Sequence, residues 1–92
     1  MIRSFAHKGL ERFFVSGLRD GIRPEHAMRL RLVLELIDAA DSPYDLRYPG
    51  LRLHGLHGQR SGIWSVSVSA NWRITFRFDE EGAYDVNYED YH

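Results

Sequence analysis

Trp64-Ser65-Val66-Ser67-Val68-Ser69-Ala70-Asn71-Trp72-Arg73-Ile74-Thr75-Phe76-Arg77-Phe78 is the stretch that decides the fold. Apolar residues take every second position on both sides of Ala70-Asn71: Trp64, Val66 and Val68 before it, and Trp72, Ile74, Phe76 and Phe78 after it. A period of two is the repeat of a half-buried strand, so the spacing predicts two β-strands joined by a tight turn. Asp79-Glu80-Glu81-Gly82 predicts a second turn, leading into a third strand whose apolar face is Tyr84, Val86 and Tyr88. From Gly62 to His92 the chain reads as an antiparallel meander with one covered face. The other face, carrying Ser65, Ser67, Arg73, Thr75, Arg77, Asp85 and Asn87, is expected to be wet.

Upstream, Leu51-Arg52-Leu53-His54-Gly55-Leu56 alternates as a strand would and sets His54 on the side of Arg52, opposite Leu51 and Leu53. Gly58 to Gly62 reads as a loop. Earlier still the period changes. Leu10, Phe13 and Phe14 share one helical face after Lys8, and Gly17 or Gly21 can end that helix. Pro24 opens a second, longer helix in which Leu30, Val33, Leu34 and Ile37 follow the i, i+3, i+4, i+7 pattern, ending near Asp41-Ser42-Pro43. Met1 to Phe5 alternates and is predicted as an edge strand. A half-buried sheet needs a cover, and these helices supply it. The fold class predicted is α+β: two N-terminal helices packed on one face of a small, mostly antiparallel sheet of about four to five strands.

A chain of 92 residues holds one core, so residues 1–92 read as a single domain. There are no cysteines, which excludes disulfide staples and Cys-ligated zinc. No segment approaches the roughly 20 apolar residues that span a bilayer, and the chain is expected to be cytoplasmic, without a membrane partner. The formal net charge of −1 argues against a polyanion partner until its distribution is considered. Residues 46–78 carry five arginines and no acid, whereas residues 79–92 carry six acids and no base. Arg47, Arg52, Arg60, Arg73 and Arg77, with His54 and His57, therefore form a basic segment compatible with a local phosphate site.

Arg73 and Arg77 on the polar face could hold a phosphate, or could be solvated strand residues paired with Asp85 or Glu89. His54 and His57 could act as acid/base groups or serve no chemical role. Their spacing is not that of a helical metal pair, and neither a metal nor a cofactor is expected. The segment Asn87-Tyr88-Glu89-Asp90-Tyr91-His92 puts a carboxylate, a phenol and an imidazole where chain ends usually fray. An aspartate and a histidine beside one phosphodiester suffice for a general base and a general acid. No Gly-rich phosphate loop and no Gly-x-Ser-x-Gly motif is present.

Met1-Ile2-Arg3-Ser4-Phe5 with His7-Lys8-Gly9-Leu10, then Leu53-His54-Gly55-Leu56, Gly62-Ile63-Trp64-Ser65-Val66, Asn71-Trp72-Arg73-Ile74-Thr75-Phe76 and the Asn87–His92 segment together resemble the HigB toxins. These are host-inhibition, or plasmid-maintenance killer, proteins of the RelE superfamily. The resemblance runs the length of the chain and implies a RelE-like fold and a bacterial, ribosome-dependent endoribonuclease. Such an enzyme cuts mRNA in the 30S decoding site, against rRNA, and is neutralised by a helix-turn-helix, HigA-like antitoxin in a hetero-oligomer. The family's site residues transfer onto His54, position 57, Arg73, Asp90, Tyr91 and His92; Arg60 and Arg77, from the basic segment, are expected as further phosphate contacts. Position 57 departs from the pattern, holding histidine where the family commonly has lysine.

The implied reaction is attack of a ribose 2′-hydroxyl on the adjacent phosphorus. Asp90 or His54 would take the 2′-proton, His92 would protonate the leaving oxygen, Arg73 and His57 would stabilise the charge on phosphorus, and Tyr91 would position a base or phosphate. The rival reading is a non-catalytic module that keeps the fold and acts only in an antitoxin complex. A sheet-platform RNA binder is disfavoured, because Trp64, Trp72, Phe76 and Tyr84 fall on the covered face. Strict alternation past Tyr88 would place Asp90 and His92 on that face too. The catalytic reading therefore expects the strand to stop, bulge or turn after Tyr88.

Overall fold

The computed structural model describes Met1 to Tyr91; the expectation for His92 lies outside the described residues. Helix α1 spans Lys8–Ser16. It starts there because His7 has an extended backbone and its Nδ1 accepts the Leu10 N–H at 2.9 Å, satisfying one of the helix's free donors. Gly17, at φ 74°, closes it with a bond from its N–H to the Phe13 carbonyl. A 3₁₀ turn at Pro24–His26 then leads into α2, Ala27–Ala39. Leu10 and Phe13 of α1 and Leu30, Val33, Leu34 and Ile37 of α2 point into the core, as their spacing required.

Four strands follow, β1 His54–Gly55, β2 Trp64–Ser69, β3 Trp72–Asp79 and β4 Gly82–Asp90. They form one antiparallel sheet in the order β1-β2-β3-β4. Val66, Val68, Ile74, Phe76, Val86 and Tyr88 from the sheet join the helical residues in a single core. The α+β architecture read from periodicity is thus the one adopted. Among the described residues no helix is long and apolar enough to cross a membrane.

Four details differ from the alternation. The Leu51–Leu56 strand shrinks to two residues, because Arg52 takes φ 51° and the Leu51 N–H closes a turn onto the Tyr48 carbonyl. Residues 1–6 bind the outer edge of β4, but through two isolated parallel bridges, Ile2 to Ala83 and Phe5 to Val86. Gly82 permits this approach: at φ 118°, any Cβ there would collide with the Met1 carbonyl. The third difference is a bulge in β4. Thr75 pairs with Asn87, yet Arg77 pairs with Tyr84, so β4 holds one residue more than β3 between these pairs. Asp85, at φ 53°, absorbs it. As a result Tyr84 faces the same side as Arg77 and stacks under Arg3 at 4.7 Å, correcting its expected place on the covered face.

The fourth difference concerns the polar face. Its centre is closed, with Ser65 at 0% and Thr75 at 3% exposure, where an open surface was expected.

Candidate functional site

Pairing register assembles the polar face in two rows. Directly opposed residues on neighbouring strands share a face, so His54, Ser65, Thr75 and Asn87 line up across all four strands. Ser67, Arg73 and Glu89 form the row beside it. Two charges of opposite sign, Arg73 and Glu89, thus stand side by side on adjacent strands.

They do not neutralise each other. Glu89 is held from the loop between β1 and β2: Arg60 donates through Nη1 to Oε1 at 2.8 Å and through Nη2 to Oε2 at 2.9 Å. The Thr75 hydroxyl donates to Oε2 at 3.0 Å and the Asn87 amide at 3.3 Å. The forked bond from Arg60 is the main cause that holds the Glu89 carboxyl below its ordinary value, against the opposing effect of burial. The same bond raises Arg60. Glu89 of this pair bonds to Thr75, which accounts for the burial of Thr75.

Arg73 is left with Nε and Nη1 buried and, among the described residues, without a hydrogen-bond partner. Its guanidinium carbon lies 5.7 Å from the centre of the Tyr91 ring, within cation–π range. Tyr91 is fixed by its own N–H, which donates to the Asn71 carbonyl at 2.7 Å. Two buried N–H groups without a partner, on a side chain of intermediate exposure, are donors that an approaching anion can satisfy. A groove of about 420 Å³, lined by Arg60, Ile63, Thr75, Arg77 and Asn87 among others, opens on the same face. Arg77 reaches its edge over Gly62, where a side-chain Cβ would come within 3.1 Å of Arg77 Nη1.

His54 sits at the β1 end of the first row and is exposed. Its Nδ1 lies 3.1 Å from the Arg52 carbonyl oxygen. A carbonyl only accepts, so a neutral His54 carries its hydrogen on Nδ1 and presents a lone pair at Nε2. His57 is exposed and heads the 3₁₀ turn Gly58–Arg60 that delivers Arg60.

Asp90 is placed differently. The strand does not stop at Tyr88 but runs to Asp90, which pairs with Trp72. Trp72 packs on Tyr88 at 4.7 Å and edge-on to His26 at 5.5 Å, on the helix side of the sheet. Arg23, raised first by its hydrogen bond to Glu25, also feels the Asp90 charge. His54, Arg73 and Tyr91 therefore share one face, while Asp90 leaves the end of the sheet towards the other.

Sequence reasoning offered Glu89 as a partner of Arg73 or Arg77, and Arg60 as a phosphate contact. Their mutual bond joins residues 29 positions apart, beyond any local pattern. The available signal was parity: Glu89 falls on the same face as Asn87. Among the described residues no group of three or more metal-ligating side chains occurs.

A family model described as a RelE-like toxin of the type II toxin–antitoxin system HigB matches residues 3–92. Among curated proteins, the chain is 46% identical over 92 residues to a protein named Endoribonuclease HigB from Proteus vulgaris, covering all of both chains. It is 34% identical over 82 residues to Toxin HigB-1 of Vibrio cholerae serotype O1, covering 85% of this chain and 84% of the relative.

Proposed function

Because the chain belongs to the RelE-like HigB toxins of type II toxin–antitoxin systems, we propose that its polar sheet face is the catalytic surface of an endoribonuclease. The observation that carries this reading is the Arg73 guanidinium, buried at Nε and Nη1 without a partner among the described residues. A phosphodiester passing through a dianionic transition state is the kind of group that such a cation stabilises most.

The reaction is a transesterification. The ribose 2′-oxygen attacks the adjacent phosphorus as the bond from phosphorus to the 5′-oxygen breaks, giving a 2′,3′-cyclic phosphate and a 5′-hydroxyl. One side chain takes the 2′-proton and another returns one to the 5′-oxygen. The lone pair at His54 Nε2, on the same face as Arg73, favours His54 as the base. Asp90, in register with Trp72, is less well placed for that role. Arg73 and His57 stabilise the charge on phosphorus, Tyr91 positions the scissile nucleotide over Arg73, and His92 is the acid by resemblance alone. Arg77 borders the groove as a further phosphate contact.

The substrate proposed is mRNA in the decoding site of the translating 30S subunit, in the cytoplasm. The partner that silences the toxin is a helix-turn-helix antitoxin, expected to form a hetero-oligomer with it. Addition of the purified chain to a translating extract, followed by mapping of messenger 5′ ends, tests the reading. New ends on translated messages support it. Binding to the antitoxin without new ends replaces it with the non-catalytic module.

A further inference from the structure

Arg73 and Glu89 face each other across β3 and β4. Opposite charges in such a cross-strand pair ordinarily bond to one another. Here both Glu89 oxygens are taken by other groups, and Arg73 keeps two buried N–H groups without a partner. The loop residue Arg60 supplies the two shortest of the four contacts to Glu89, and Thr75 and Asn87 supply the rest. With side-chain exposures of 37% and 22%, the Arg60–Glu89 pair is too accessible for a large contribution to stability to be expected from it. Its geometric consequence is larger: it fixes the direction of a carboxylate that would otherwise lie against the phosphate-binding cation.

We propose that Arg60 is a positioning residue, which clamps Glu89 against Thr75 and so keeps the Arg73 guanidinium available to the substrate phosphate. This rests on the reading of Arg73 as the phosphate-binding group. It assigns Arg60 a task distinct from touching RNA, the role its sequence position suggested. Removing Arg60 frees Glu89 to pair with Arg73, and the site loses its cation without any change at Arg73 itself. Removing the Glu89 charge at the same time makes the clamp unnecessary.

Four proteins separate these roles: the unaltered chain, Arg60→Ala, Glu89→Gln and the double variant. Each is assayed for single-turnover cleavage of mRNA on programmed ribosomes, and each free protein is examined by ¹⁵N NMR at the Arg73 Nε–H. Arg60→Ala is expected to lose about a hundredfold in rate, the scale of one lost transition-state donor, and the double variant to recover to within about fivefold of Glu89→Gln. The Arg73 Nε–H resonance should move in Arg60→Ala, as a carboxylate engages it, and return in the double variant. If the double variant cleaves as poorly as Arg60→Ala, Arg60 acts on the RNA directly and the proposal fails. An Arg73 resonance that is unmoved in Arg60→Ala also overturns it. Should the alanine loosen the loop, Arg60→Met keeps the aliphatic stem and serves in its place. If the unaltered chain cuts nothing, the ribonuclease reading fails, and the NMR comparison still decides whether the clamp exists.

Discussion

The hydroxyl of Tyr88 lies 2.6 Å from Nδ1 of His26, joining the last strand to the turn that opens α2. Both side chains are buried, at 5% and 4% exposure, among Trp72 and His7. Burial raises the Tyr88 hydroxyl above its ordinary value, so it keeps its proton and stays hydrogen-bonded to Nδ1. The oxygen in turn accepts the Arg23 N–H at 3.4 Å. Tyr88→Phe leaves the ring contacts but strands the imidazole nitrogen, which should cost about 1–3 kcal/mol. Urea unfolding should show a lower midpoint at unchanged slope. An unaltered midpoint would show that the bond adds nothing.

Arg73→Met keeps the aliphatic stem and removes the buried, unpaired N–H groups. Cleavage in a translating extract should fall about a hundredfold or more, corresponding to roughly 3–4 kcal/mol of transition-state stabilisation. Thermal stability should hold or rise, because two unsatisfied N–H groups are no longer buried. Normal cleavage by this variant would remove Arg73 from the site.

His7 caps α1 as an acceptor, which requires Nδ1 to be unprotonated. Burial, the largest cause, lowers its pKa from 6.5, so the unfolded chain takes up the proton first as pH falls. The sign follows: the cap's stability is full above about 6.5 and is lost as pH drops towards the folded value. His7→Asn supplies an acceptor that does not titrate in this range. Denaturation midpoints measured from pH 7.5 downward should show a decline in the unaltered chain that is reduced in the variant.

Deletion of Tyr91 and His92 removes the ring over Arg73 and one backbone bond to Asn71. Tyr91 is 39% exposed, so the core should not notice. Cleavage should vanish while the melting temperature shifts by less than about 4 °C, less than 1 kcal/mol for a domain of this size. A large stability loss would recast the segment as structural.

The sequence carried the meander well because period-two alternation is a local signal, and the β2–β3 hairpin follows it except at one register shift between Ser67 and Ser69. It misled where one backbone angle intervened. Arg52 at φ 51° cuts β1 short, and Asp85 at φ 53° turns Tyr84 to the opposite face. Neither residue is glycine, so neither advertises a left-handed backbone. For the site, His54 and Arg73 fell on one face by counting parity. The Arg60–Glu89 clamp did not, since it joins a loop to a strand through tertiary packing alone. Asp90 had been flagged by the same parity, and the strand does carry it beside Trp72.

The bridges between residues 1–6 and β4 are expected to form late in folding. Ser4 and Asp85 meet across 81 positions, and closing so long a loop is entropically unfavourable until much else is in place. The helices and the β2–β3 hairpin depend on near neighbours and can form early. The edge of the sheet cannot. Because β4 is at once the strand that receives residues 1–6 and the strand that carries Glu89 and leads to Tyr91, contacts across 81 positions close on the same strand that completes the polar face. The capacity to cut RNA should therefore appear only with the final cooperative step, and a partly folded chain should be harmless.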